Sequence, residues 1–150
     1  MDFSHSFLLF CTLVVFYNFG GIWFVQLVVY PLFAKVGSDE YVAYHRFYSS
    51  RIPLPVILPG FACFLLPIVL IFLRPVSIPL WIALANAASG LVALVVTVAL
   101  EIPRHHRLEN GGKQERVIGE LILYNWPRTV GITGSAFLTL IMFTLAFSPA

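Results

Sequence analysis

The stretch Pro75–Leu100, PVSIPLWIALANAASGLVALVVTVAL, holds no Asp, Glu, Lys or Arg and stops at Glu101. A helix rises ~1.5 Å per residue and the hydrocarbon core is ~30 Å thick, so ~20 apolar residues span it. The stretch is long enough. Working outward, Phe3–Ala34, Ile52–Leu73 and Thr129 to the end are also free of charged residues and also long enough. The chain therefore reads as an all-α membrane protein, a single four-helix transmembrane bundle over residues 1–150 and integral to a plasma or inner membrane.

Composition agrees. The chain is 59% hydrophobic and 11% charged, against roughly 25% charged in soluble domains. A net charge of +2 is too small to point to nucleic acid, which leaves membrane lipid and apolar small molecules as partners. Cys11 and Cys63 fall inside apolar stretches and read as small buried hydrophobes. With no C-x-x-C, neither a redox relay nor a thiolate metal site is indicated. The N-terminus lacks a basic region and its apolar run exceeds a signal core, so it reads as a retained helix.

The basic residues predict orientation. Lys35, Arg46 and Arg51 lie between helices one and two, and Arg104, Arg107, Lys113, Arg116 and Arg128 between helices three and four. Only Arg74 lies in the second connection. Lys and Arg favour the cytoplasmic side, which predicts both termini outside and both long loops in the cytoplasm.

Finer expectations follow from local signals. Helix one is expected from Ser6 to Phe33, with Gly20-Gly21 as a close-packing point and Pro31 kinking its end. Asn18, Gln26 and Asn86 are expected to hydrogen-bond between helices or line a polar pocket. Tyr41, Tyr44 and Tyr48 share one face with His45 beside them, predicting a short interfacial helix in the first cytoplasmic loop. Helix two, carrying Pro59 and Pro67, is expected to bend. Helix three is expected from about Ile78, and Gln114–Tyr124 reads as a second interfacial helix. Asn125-Trp126-Pro127 is expected to open helix four, with Trp126 anchoring at the interface.

One stripe on helix three runs Asn86, Gly90, Ala93, Thr97, Glu101, His105, at spacings of three and four. It leads to a polar cluster at the cytoplasmic edge: His45, Arg46, Glu101, Arg104, His105, His106, Asn125 and Arg128. Ionisable residues at membrane depth are costly and face the bundle interior. Glu101 thus either pins the bundle by a salt bridge to Arg104 or Arg128, or acts as a general base or acid in catalysis with His105 and His45. Arg128 and Asn125 share one face, and Arg128 suits either an anion clamp or snorkelling to headgroups. Asn125, Arg128, Asn86, Thr97 and Trp126 are the expected substrate-binding set. Glu101, His105 and His45 also make a two-His-one-carboxylate set, but no metal signature accompanies it and no metal is assigned.

Three passages carry a resemblance: Gly20-Gly21 with Val29-Tyr30-Pro31; Val96-Thr97 leading to Ile102-Pro103-Arg104-His105 and Leu108; and Asn125-Trp126-Pro127-Arg128-Thr129. Together they span most of the chain and resemble the anthrone oxygenase-like family of small four-helix membrane proteins (DUF1772). Its fungal members oxidise a polycyclic phenolic substrate to a quinone with O2. The resemblance implies an oxidoreductase without metal, flavin or other cofactors, with Glu101 or His105 as base and Arg128 and Asn125 holding an enolate oxygen. His105 is a departure, standing where the family often has Asn. The bundle and its basic rim also fit a non-enzymatic role, as a lipid- or hydrophobe-binding protein or a subunit of a membrane complex. A transporter would need a homo-oligomer, since one chain has no second half to alternate against.

Overall fold

The computed structural model describes residues 2–148. Among them the chain is all-helical apart from short connections: α1 Phe3–Phe33, α2 Tyr41–Arg51, α3 Pro53–Leu73, α4 Leu80–Gly111 and α5 Glu115–Phe147. All but α2 are long and apolar enough to cross a membrane. Their outer faces present large apolar side chains such as Phe10, Leu65, Val95 and Phe137, as expected of a bundle whose solvent is lipid rather than water.

Helix ends follow from identifiable groups. α1 starts before Ser6 because the Asp2 carboxylate caps it, accepting the His5 N–H at 3.0 Å. α4 starts at Leu80 after the extended Pro79. It ends at Gly111, where Gly112 turns the chain with φ +73°, a backbone that favours glycine. Lys113 Nζ ties this turn to the end of α1 by donating to the Ala34 carbonyl at 2.9 Å.

The expected second interfacial helix does not exist. Gln114 is extended, and Glu115 begins one continuous helix that carries Pro127 in its interior. Pro127 leaves one carbonyl without its helical donor, a loss this long, packed helix absorbs.

Irregular winding accompanies three of the prolines. Of three wide π-turns, Val25–Val29 and Thr97–Glu101 interrupt α1 and α4, and Pro53–Ile57 opens α3. Each closes with an i→i−5 bond, as in Tyr30 N–H to Val25 O and Ile102 N–H to Thr97 O. Each also lies two residues before a proline: Pro31, Pro59 or Pro103. The wider turn gives room to a ring that would otherwise meet the preceding carbonyl. Pro59 has no N–H for the Pro55 carbonyl, and Tyr17 Oη donates to it at 2.9 Å instead.

Close packing falls at the small residues of α4, which reads as a contact region from Ala83 to Gly90, and not at Gly20-Gly21. A Cβ on Gly20 or Gly21 would meet nothing within 4 Å. The tight approaches are Gly90 of α4 against the Cys63 and Phe64 backbone of α3, and Gly131 of α5 against Ser89 of α4. Cys11 and Cys63 are free and buried, as read. Asn86 clamps α4 to α5: its Nδ2 donates to Thr139 Oγ1 at 3.1 Å and its Oδ1 accepts from Ser135 Oγ at 2.5 Å. Hydrogen bonds between membrane helices average ~0.6 kcal/mol. Asn86→Ala is therefore expected to cost about 1 kcal/mol, read by unfolding in mixed micelles; an unchanged midpoint would remove the clamp.

Candidate functional site

The first loop brings α2 back over the end of the bundle. Its Tyr41 and His45 are fully buried, packed with Phe33, Leu108 and Ile118. The aromatic face expected among headgroups is turned inward, because the adjoining ends of α1, α4 and α5 present enough apolar surface to cover it. Arg46, on the opposite face, is exposed and does not join the cluster.

Beneath α2 lies a cavity of about 290 Å³. Its polar wall comprises Tyr30, Tyr48, Ser49, Thr97, Glu101, His105, His106, Glu109 and Arg128. Val25, Val56, Gly60, Phe61 and Phe64 make much of the apolar wall. Ile57 of α3 and Ile102 of α4 also line it and are 43% and 50% exposed. The cavity therefore reaches the outer surface between these two helices. All three π-turns border it, through Val25, Val56 and Thr97. Such turns frequently sit at functional sites, since the irregular winding re-aims side chains.

Glu101 is 2% exposed, and neither carboxyl oxygen has a hydrogen-bond partner in the protein. The salt bridge expected with Arg104 is absent. Arg104 turns away, with Nε 3.3 Å from Glu120 Oε2, Nη1 donating to the Leu100 carbonyl at 2.8 Å, and its guanidinium 4.2 Å over the Tyr124 ring. Nor does Arg128 pair with Glu101; its one side-chain hydrogen bond runs from Nη1 to Asn125 Oδ1 at 3.5 Å, and its Nε is buried without a partner. Arg128 does not snorkel: it is 7% exposed and lines the cavity.

His105 is engaged at both ring nitrogens. Nε2 lies 3.1 Å from Tyr30 Oη and Nδ1 3.2 Å from His45 Nε2, while the ring stacks on Tyr48 with centroids 5.7 Å apart. His45 stands behind the wall, with Nδ1 3.5 Å from Ser49 Oγ. Burial holds its imidazole below the usual range, opposed only in part by Glu109. Burial likewise raises the Tyr48 phenol. Among the described residues no three His, Cys, Asp or Glu side chains converge as a metal site. The two histidines bind each other instead.

The expected site is thus partly assembled. Glu101, His105, Thr97 and Arg128 line one cavity, with Thr97 Oγ1 donating to the Ala93 carbonyl at 2.8 Å. His45 and Asn125 sit behind it. Asn125 is fully buried and donates to Gln26 Oε1 at 2.8 Å, while Gln26 Nε2 donates to the Ile122 carbonyl at 3.1 Å. Asn125 therefore ties α5 to α1 and steadies Arg128 rather than facing the cavity. Asn86 is a helix clamp, because its amide is consumed by Thr139 and Ser135. Trp126 faces outward, edge-on to Trp23 at 5.9 Å. Sequence reasoning missed Tyr30, Ser49, Phe61 and Phe64 as lining residues. Tyr30, beside Pro31 on the bundle-facing side of α1, was the readable signal.

The fold and cavity define a membrane-embedded four-helix protein with a largely apolar pocket at one end that carries a cluster of polar side chains. No family model matches the chain, and no curated protein or solved structure matches it.

Proposed function

We propose that this protein is an oxygenase that binds an apolar, polycyclic phenolic or anthrone-like molecule in the cavity and oxidises it with O2. The observation that carries this reading is the buried, unpartnered Glu101 carboxylate on a largely apolar wall shared with the Arg128 guanidinium. A carboxylate with free lone pairs can take a proton, and an unpaired guanidinium can hold the oxyanion that results. His105 is the poorer base, since both of its nitrogens are engaged. The resemblance to the anthrone oxygenase-like family supports the same chemistry.

Glu101 would remove a proton from the activated CH2 group, and Arg128 would stabilise the enolate oxygen. The carbanion gives electrons to O2 and forms a C–O bond, and the peroxide takes up one proton. Loss of the second C–H proton with O–O cleavage leaves a ketone and one water. One O2 is consumed per quinone, and no other oxidant or reductant is needed. The substrate enters from the bilayer between α3 and α4, past Ile57 and Ile102. The Lys and Arg distribution supports placing the cavity end at the cytoplasmic side.

The test is quinone absorbance with O2 uptake when the protein in lipid nanodiscs meets an anthrone. Equimolar O2 loss, faster than in empty discs, is expected. Arg128→Met removes a charge-assisted hydrogen bond of ~1.5–3 kcal/mol, so kcat/KM falls roughly 10- to 100-fold. A rate equal to that of empty discs sinks the oxygenase; saturable binding without quinone would mark a hydrophobe-binding protein.

A further inference from the structure

Four groups that the oxidation itself does not use form one hydrogen-bonded row: Tyr30 Oη, His105 Nε2 and Nδ1, His45 Nε2 and Nδ1, and Ser49 Oγ, at 3.1, 3.2 and 3.5 Å. Tyr30, His105 and Ser49 line the cavity, but His45 does not: Tyr30 is 2% exposed, Ser49 is half-buried and His45 is fully buried behind the wall. A neutral imidazole has one N–H and one lone pair. Two adjacent neutral imidazoles can therefore satisfy this row in two polarities only. In one, Ser49 donates to His45, His45 to His105 and His105 to Tyr30. In the other, every donor is reversed.

We propose that Tyr30, His105, His45 and Ser49 form a neutral proton wire serving the Glu101 cavity, with His45 as a positioning residue that never touches the bound molecule. This rests on the oxygenase reading above. Tyr30 gives its O–H proton to the peroxide anion and takes the Nε2 proton of His105. His105 Nδ1 takes the Nε2 proton of His45, whose Nδ1 takes the Ser49 proton. Ser49 is restored from water at its half-buried edge. The proton on Glu101 returns to solvent, so the sum over the cycle is zero. No imidazolium forms, which suits the fully buried His45 ring. The ionisable groups around the pair are Tyr30 from α1, Tyr41 and Tyr48 from α2, Glu101 and Glu109 from α4, and Arg128 from α5.

The experiment is ¹⁵N-histidine NMR of the full chain in nanodiscs, paired with kinetics of His45→Gln. Both rings are expected to be neutral near pH 7 and to exchange tautomers together. Tyr30→Phe should shift the tautomer ratio of His45, a residue Tyr30 does not contact. His45→Gln should lower kcat about 100-fold, the lower end of a proton-transfer contribution, with KM within about twofold of wild type. A fixed tautomer on either ring, or a His45 ratio indifferent to Tyr30→Phe, overturns the wire. So does an unchanged kcat in His45→Gln. If wild type itself turns over no anthrone, the oxygenase reading fails, and the NMR result alone decides the wire.

Discussion

Glu101→Gln should reduce kcat/KM by roughly 10²- to 10⁴-fold, the range for loss of a general base, without disturbing the bundle. The amide has the shape of the carboxyl but no basic lone pair. Glu101 makes no well-formed hydrogen bond or salt bridge in the protein, although Tyr30 and Arg128 lie close enough to act on its carboxyl, so little structural contact is lost with it. The companion substitution Glu101→Leu should strengthen the fold. A buried polar group without a partner carries a desolvation cost of ~1–3 kcal/mol, and more when charged. Removing it should raise stability by at least about 1 kcal/mol, measured by unfolding in mixed micelles. Residues kept at a cost to stability mark function. If Glu101→Leu instead weakens the fold, Glu101 is held by a partner and its role is structural. Full activity in Glu101→Gln would end its assignment as base.

Gly131→Leu should separate α4 from α5. A Cβ at position 131 would lie 2.9 Å from the Ser89 carbonyl oxygen and 3.5 Å from the Ala93 nitrogen. These are backbone atoms of a packed helix and cannot rotate aside. Overpacking costs ~1–3 kcal/mol where side chains can adjust, and a leucine against backbone should exceed that range. Gly131→Ala already meets the clash and should fall within it. Gly20→Ala is the control: with nothing within 4 Å, it should be neutral or stabilise by about 0.5–1 kcal/mol through helix propensity. Because Arg128 sits one turn before Gly131 and lines the cavity, Gly131→Leu should also weaken binding of the anthrone substrate we propose. Equal stability of Gly131→Leu and Gly20→Ala would refute the close approach.

The inward stripe was legible because helical spacing alone puts Asn86, Gly90, Ala93, Thr97 and Glu101 on one face, and nothing in lipid can reward their exposure. Of these, Thr97 is half-buried and the others are buried. Whether each polar member faces the cavity or another helix was not legible. Asn86 and Glu101 occupy the same stripe, yet Asn86 meets Thr139 and Ser135 while Glu101 meets no partner. That difference depends on which α5 residues lie opposite, a matter of register between helices far apart in the chain. Arg104 shows the same limit: its choice of Glu120 over Glu101 depends on α5 running unbroken through the expected loop.

The uncharged runs from Phe3, Ile52, Pro75 and Thr129 were enough to establish four spanning helices, because lipid leaves a backbone no other way to satisfy its hydrogen bonds. The position of Glu101 at the end of one run marked the end of the bundle where chemistry could be placed. Packing settled the rest. It folded α2 inward so that His45 meets His105, consumed Asn86 and Asn125 between helices, and left Glu101 and Arg128 unpaired in one cavity. A hydrogen bond needs its partner within about 3 Å, and such distances are set between helices, not along them.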